Sequence, residues 1–268
     1  MKQKIPVCLT IAGSDSGGGA GIQADLKVMS ALGVYGASVI TALTAQNTRE
    51  VRSIFPVSPE FVIEQIETVY DDLDIDAVKI GMLGTPELTF AVASALRSLG
   101  AKNIVLDPVM ISKSGCKLLN DEGVDALKQR LIPSSDIITP NIPEAMVLLN
   151  KTTQPNLQDM EDYCVELLKL GAKSVLLKGG HMQGDVLHDL YYDGSDIISM
   201  TSPRINTKNT HGTGCSMSSA IASFVAKGND IKTSVQNAKN YIAGAVARSD
   251  ELDIGSGSGP INHFYKVW

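Results

Sequence analysis

Val7-Cys8-Leu9-Thr10-Ile11-Ala12-Gly13-Ser14-Asp15-Ser16-Gly17-Gly18-Gly19-Ala20 decides how the chain is read: an apolar run breaks into glycines and then into a helical period. Residues 7–12 predict a buried strand and residues 13–19 a loop. Residues 20–32 predict a helix, because Ile22, Leu26 and Met29 share one face and Gly33 supplies a stop. A strand feeding a glycine loop and a helix is the repeating unit of α/β proteins.

Working outward, the same rhythm recurs. Strands are predicted at 37–43, 77–80, 103–106, 136–139 and 174–177, each a short run rich in Val, Ile or Thr. Ser58-Pro59 and Thr85-Pro86 pair a capping hydroxyl with a first-turn proline, opening helices through Asp72 and Leu99. Further helices are predicted at 121–130, after Asn141, and at 157–170, 212–226 and 231–249. Asp193-Gly194 marks the turn of an antiparallel hairpin. The expectation is one α/β domain over residues 1–268, with a mostly parallel central sheet flanked by helices. The run Gly255-Ser256-Gly257-Ser258-Gly259 reads as a surface loop rather than a boundary.

Charge narrows the function. The 23 lysines and arginines against 29 acids give a net charge of -6, which excludes a broad electrostatic surface for nucleic acid or anionic membrane. No apolar run reaches the roughly 18 residues of a membrane span, and Pro6 interrupts what would resemble a signal peptide. Cys8, Cys116, Cys164 and Cys215 show no C-x-x-C pair, so reduced thiols in a cytoplasm are expected.

In a parallel sheet, ligands gather beyond the carboxyl ends of strands. Gly13 to Asp15, Gln46, Gly81-Met82, Asp107, Asn141, Glu144 and Lys178 all follow predicted strands. The segment Thr210-His211-Gly212-Thr213-Gly214-Cys215 enters a helix, where bare N–H groups attract phosphate oxygens; a tight structural turn explains the same glycines. Cys215 there is either a thiol acidified by the helix start or an inert packed cysteine. Asp107 and Glu144 are structural acids or water-mediated Mg²⁺ ligands, and Lys178 is a phosphate contact or a solvated strand end. His181, His188, His211 and His263 lack metal-ligand spacing and read as surface or packing residues. No G-x-x-x-x-G-K-[ST] occurs, which argues against a Walker-type NTPase.

Eight ordered motifs change that balance. They are T-I-A-G-S-D-S-G-G-G-A-G-I-Q-A-D-L-K from Thr10, V-I-T-A-L-T-A-Q-N-T from Val39, K-I-G-M-L-G from Lys79 and V-L-D-P-V-M from Val105. T-P-N-I-P-E-A from Thr139, L-K-G-G-H from Leu177, N-T-H-G-T-G-C from Asn209 and G-P-I-N-H-F from Gly259 complete the set. Together they resemble the bacterial hydroxymethylpyrimidine and phosphomethylpyrimidine kinases of thiamine biosynthesis, in the ribokinase-like superfamily. The resemblance implies transfer of phosphoryl from Mg-ATP to 4-amino-5-hydroxymethyl-2-methylpyrimidine and then to its monophosphate.

By motif position it implies that Asp25 and Gln46 hydrogen-bond the pyrimidine, with Gly13, Met82 and Val109 lining its pocket. Gly212, Thr213, Gly214 and Cys215 would form the anion hole, Cys215 accepting the hydroxyl proton. Lys178, Asn141 and Thr213 would hold ATP, and Asp107 and Glu144 the Mg²⁺ ion. Relatives imply a homodimer, and residues 111–115 would be a mobile flap. Ser16-Gly17 departs from the Pro-Ser of many relatives. A pyridoxal kinase on the same fold is the nearest alternative, opposed by the A-Q-N-T setting of Gln46; a catalytically silent binding protein is the other.

Overall fold

A computed structural model describes residues 4–110 and 118–267. The first strand, β1 (Val7–Asp15), runs through Gly13 and Ser14 before turning at residues 16–20. α1 (Gly21–Ala31) follows, burying Ile22, Val28 and Met29. β2 (Tyr35–Gln46) lies parallel to β1, and β3 (Val51–Pro56) returns antiparallel to it. Two Ser/Thr-capped helices alternate with the next strands: α2 (Pro59–Asp72), β4 (Ala77–Ile80), α3 (Pro86–Ser98), β5 (Ile104–Leu106). The chain continues with α4 (Asp121–Ala126), β6 (Ile137–Ile138), α5 (Ile142–Leu149), α6 (Leu157–Leu168) and β7 (Val175–Leu177). β8 (Val186–Tyr192), β9 (Ile198–Pro203), α7 (Thr213–Ala226) and α8 (Ile231–Ala247) complete it.

All nine strands form one sheet in the order β3-β2-β1-β4-β5-β6-β7-β8-β9. β2, β1, β4, β5, β6 and β7 are parallel to their neighbours, while β3, β8 and β9 add antiparallel edges. The expected hairpin at Asp193 joins β8 to β9. β3 was not predicted: its residues 52–56 are all exposed, so no apolar alternation betrays it.

Alternate side chains of the central strands feed two cores. Leu9, Ile11, Ile80 and Leu106 pack with α2, α3, α5 and α6 on one face; Cys8, Val105 and Ile137 pack with α1, α7 and α8 on the other. Burying each large aliphatic side chain stabilises the fold by roughly 1.5–3 kcal/mol. The predicted helix 121–130 instead changes at Ala126 to a wider turn over Leu127–Leu131 and then to Ile132–Ser134, where Pro133 cannot donate an α-helical hydrogen bond. The strand order reverses direction of growth at β1, and the carboxyl ends of β1, β4, β5, β6 and β7 meet along one edge. That is where an open α/β sheet leaves a crevice.

Candidate active site

A cavity of about 1350 Å³ occupies this crevice. Gly13, Gln46, Met82, Asp107, Val109, Asn141, Glu144 and Lys178 all line it, together with residues 212–215. The sheet edge thus brings together every expected site residue except Asp25. Residues 111–115, the expected flap, lie outside the described residues.

One end of the cavity is charged. Lys178, immediately after β7, meets Asp107 Oδ1 at 3.0 Å, and Thr139 donates to the same oxygen at 3.0 Å. Ser218 of α7 reaches Asp107 Oδ2 at 3.3 Å. Burial opposes ionisation of Asp107, but Lys178 and Lys79 outweigh it and hold its pKa below the ordinary carboxylate range. Glu144 caps α5 reciprocally with Asn141, each side chain accepting the other's backbone N–H at 2.9 Å. Burial pushes Glu144 up to about 7, although Lys178 pulls the other way.

α7 starts against this pair. Gly212 takes a left-handed φ of 77° as its N-cap, packed against the Gly19 carbonyl, and no side chain caps the helix. A methyl group on Gly214 would stand 3.4 Å from Lys178 Nζ, so the first turn abuts the lysine directly. Bare N–H groups and an ammonium group therefore face one space, an arrangement suited to oxyanions. Cys215 also faces it; burial pushes the thiol up to about 11, and Lys79 lowers it only in part.

The other end is built from a histidine, an aspartate and an amide. His211 Nε2 lies 3.0 Å from Asp15 Oδ2 and 3.3 Å from the Gln46 amide nitrogen. Asp15 also accepts from the backbone of Gly17, Gly19 and Ala20. Burial disfavours its charge, but His211 and these N–H groups lower its pKa overall. His211, read from sequence as a surface or packing residue, is a wall of the cavity. Its signal was adjacency to Gly212, and Asp15's was its place at the strand end.

Asp25 is a correction. It is fully buried, receiving Thr10 at 2.7 Å, Lys79 at 2.8 Å and Ser219 at 2.6 Å, and it does not line the cavity. A buried lysine in mid-strand needs a paired acid, and Asp25 is that partner. The pair joins α1, β4, β1 and α7 beneath the site. Among the described residues no cluster of three His, Cys, Asp or Glu could hold a metal, and no helix is long and apolar enough to cross a membrane.

Residues 15–262 match the family described as phosphomethylpyrimidine kinase. The chain belongs to the phosphomethylpyrimidine kinase family. The hydroxymethylpyrimidine/phosphomethylpyrimidine kinase of Rhizobium meliloti is 47% identical, with 98% of each chain covered. Among solved structures, the phosphomethylpyrimidine kinase of Clostridium difficile is 45% identical at a TM-score of 0.78, covering 89% of this chain and 98% of that one. Bacillus subtilis pyridoxal kinase, solved as an ADP complex, is 34% identical but has a TM-score of 0.90, covering 97% and 98%. Backbone shape is thus shared between phosphomethylpyrimidine kinases and pyridoxal kinases.

Proposed function

We propose that this kinase transfers the terminal phosphoryl group of ATP to the hydroxymethyl oxygen of 4-amino-5-hydroxymethyl-2-methylpyrimidine, then phosphorylates that monophosphate to the diphosphate, in thiamine biosynthesis. The observation that carries this reading is the abutment of the uncapped α7 start on Lys178, in the same cavity as Gln46. Phosphoryl transfer depends on positioning and on neutralising the equatorial oxygens, which N–H groups and an ammonium group do in place.

In this reading Lys178, Asn141 and Thr213 hold the ATP phosphates, and the N–H groups of residues 214 and 215 take the transferring oxygens. Gly13, Met82 and Val109 enclose the ring, while Gln46 pairs with its polar edge. Asp107 and Glu144 give an oxygen-only donor set beside the phosphates, the chemistry that Mg²⁺ takes. Bound there, the ion would neutralise phosphate charge. Cys215 accepts the hydroxyl proton in the first step; the second acceptor is a phosphate already largely ionised near neutral pH and needs no such base.

Pyridoxal phosphorylation is the second reading, favoured by the close backbone match to a pyridoxal kinase. Gln46 opposes it as the main activity, because an amide pairs in two contacts with an aminopyrimidine edge. We further propose a cytoplasmic homodimer, with Leu43 and Phe55, exposed and paired across β2 and β3, on its apolar mating surface. ADP release is to be measured with Mg-ATP and each acceptor separately. Release with both pyrimidines, exceeding that with pyridoxal, is expected; release with pyridoxal alone would transfer the assignment, and binding without turnover would leave a silent module.

A further inference from the structure

Gln46 meets a different neighbour at each end of its amide. The nitrogen stands 3.3 Å from His211 Nε2, and the oxygen 3.3 Å from Thr44 Oγ1. Both neighbours have their protons committed. Asp15, ionised and already receiving three backbone N–H groups, can only accept, so His211 Nε2 at 3.0 Å carries a hydrogen whether the ring is neutral or charged. The Thr44 hydroxyl gives its single proton to the Ser14 carbonyl at 2.8 Å, leaving lone pairs toward Gln46. A protonated ring nitrogen with no lone pair to offer therefore faces the amide nitrogen, and a hydroxyl lone pair faces the amide oxygen. A half-turn of the amide corrects both contacts at once, and oxygen and nitrogen in such a group are assigned by their partners.

With its oxygen on His211 and its nitrogen on Thr44, the amide offers the cavity one remaining lone pair and one remaining N–H in a fixed order. The acceptor lies on the side of His211 and Gly212, and the donor on the side of Thr44. We infer that the Asp15, His211 and Gln46 relay determines which way round an aminopyrimidine binds, and thereby brings its hydroxymethyl arm to the start of α7. This rests on the pyrimidine reading above. Around one edge of that substrate, ring nitrogen 3, the amino group on C4 and the hydroxymethyl group on C5 follow in order. The amide N–H takes the ring nitrogen and the amide oxygen takes the amino group, as glutamine pairs with adenine. The next substituent, the reacting arm, then lies toward Gly212. The opposite amide orientation would turn the ring over and send the arm toward Thr44. His211 and Asp15 act through Gln46 and are positioning residues.

The test is a square of two proteins and two acceptors. Single-turnover rate and Kd are measured for the parent and His211→Leu, each with the aminopyrimidine and with 5-hydroxymethyl-2-methylpyrimidine, which lacks the amino group. The variant should slow the aminopyrimidine roughly 30-fold while its Kd moves less than about threefold, and should slow the desamino compound less than about threefold. Equal slowing of both acceptors would mean a merely structural role and overturn the inference, as would an unchanged aminopyrimidine rate. Should His211→Leu not fold, Thr44→Val removes the acceptor at the other end of the amide. It is read in the same square, with a smaller but equally selective loss expected and uniform losses again contradicting. A parent inactive on the pyrimidines would defeat the substrate reading and this inference together, whereas an active parent with a flat square defeats this inference alone.

Discussion

Two lysine–aspartate pairs of similar geometry sit close together in this fold and do different work. Lys79 and Asp25 meet at 2.8 Å with both side chains wholly inaccessible. Lys178 and Asp107 meet at 3.0 Å, but the lysine retains 14% of its side-chain exposure and looks into the cavity. In the first pair Thr10 and Ser219 complete the hydrogen bonds of the carboxylate. The second can exchange a carboxylate contact for a phosphate without exposing an unpaired charge. Access, rather than pairing, separates a structural ion pair from one that serves a site.

Breaking the sealed pair should give the largest effect. Lys79→Met leaves Asp25 charged and buried, and a loss of about 3–5 kcal/mol in unfolding free energy is expected from urea denaturation. Lys178→Met should instead lower kcat/KM for ATP by about 10²–10³-fold, with a smaller loss of stability, because Thr139, Ser218 and nearby Lys79 still compensate Asp107. If the two variants lost stability and activity in equal proportion, the distinction would collapse.

Cys215 sharpens it further. Its thiol, raised to about 11 by burial, is mostly protonated at neutral pH, so a proton-accepting role carries a signature. The first-step single-turnover rate should climb with pH from 7 to 9 while the second stays flat. Cys215→Ala should cost the first step at least about tenfold and the second less than about threefold. Equal losses in both steps would remove Cys215 from proton transfer.

The smallest effect concerns Glu144. Its folded-state pKa lies above its ordinary value, so the folded protein holds this proton more tightly than the unfolded chain does. The stability it contributes is present below about 4.5 and is lost as pH rises through about 7. Glu144→Gln keeps an oxygen for the Asn141 cap but cannot titrate. Its stability curve, measured by urea denaturation from pH 5 to 8, should lack that decline; parallel curves for parent and variant would contradict the assignment.

Much of this was legible because local chemistry marks it. Ser58, Thr85 and Asn141 cap their helices as hydroxyl and amide residues do, and each accepts the backbone N–H expected. α1 and α7 have no side-chain cap; glycines mark their starts, and both starts line the cavity. Lys79 was unreadable as a buried charge because its partner lies 54 residues away, and a lysine in a short strand usually implies solvent. The same distance hid Asp25's true contacts. His211 and Gln46 are separated by 165 residues, so their pairing exists only once β2 and the α7 start share an edge. Cys215 stayed open between an acidified and a packed thiol because sequence shows the helix start but not the depth of burial.

The most direct measurement follows one reaction by ³¹P NMR, with this protein, excess Mg-ATP and 4-amino-5-hydroxymethyl-2-methylpyrimidine. The account predicts that a phosphomonoester signal rises and then gives way to a diphosphate as ADP accumulates, and that Lys178→Met slows both conversions. Unchanged ATP, or turnover that proceeds with pyridoxal but not with the pyrimidine, would contradict it.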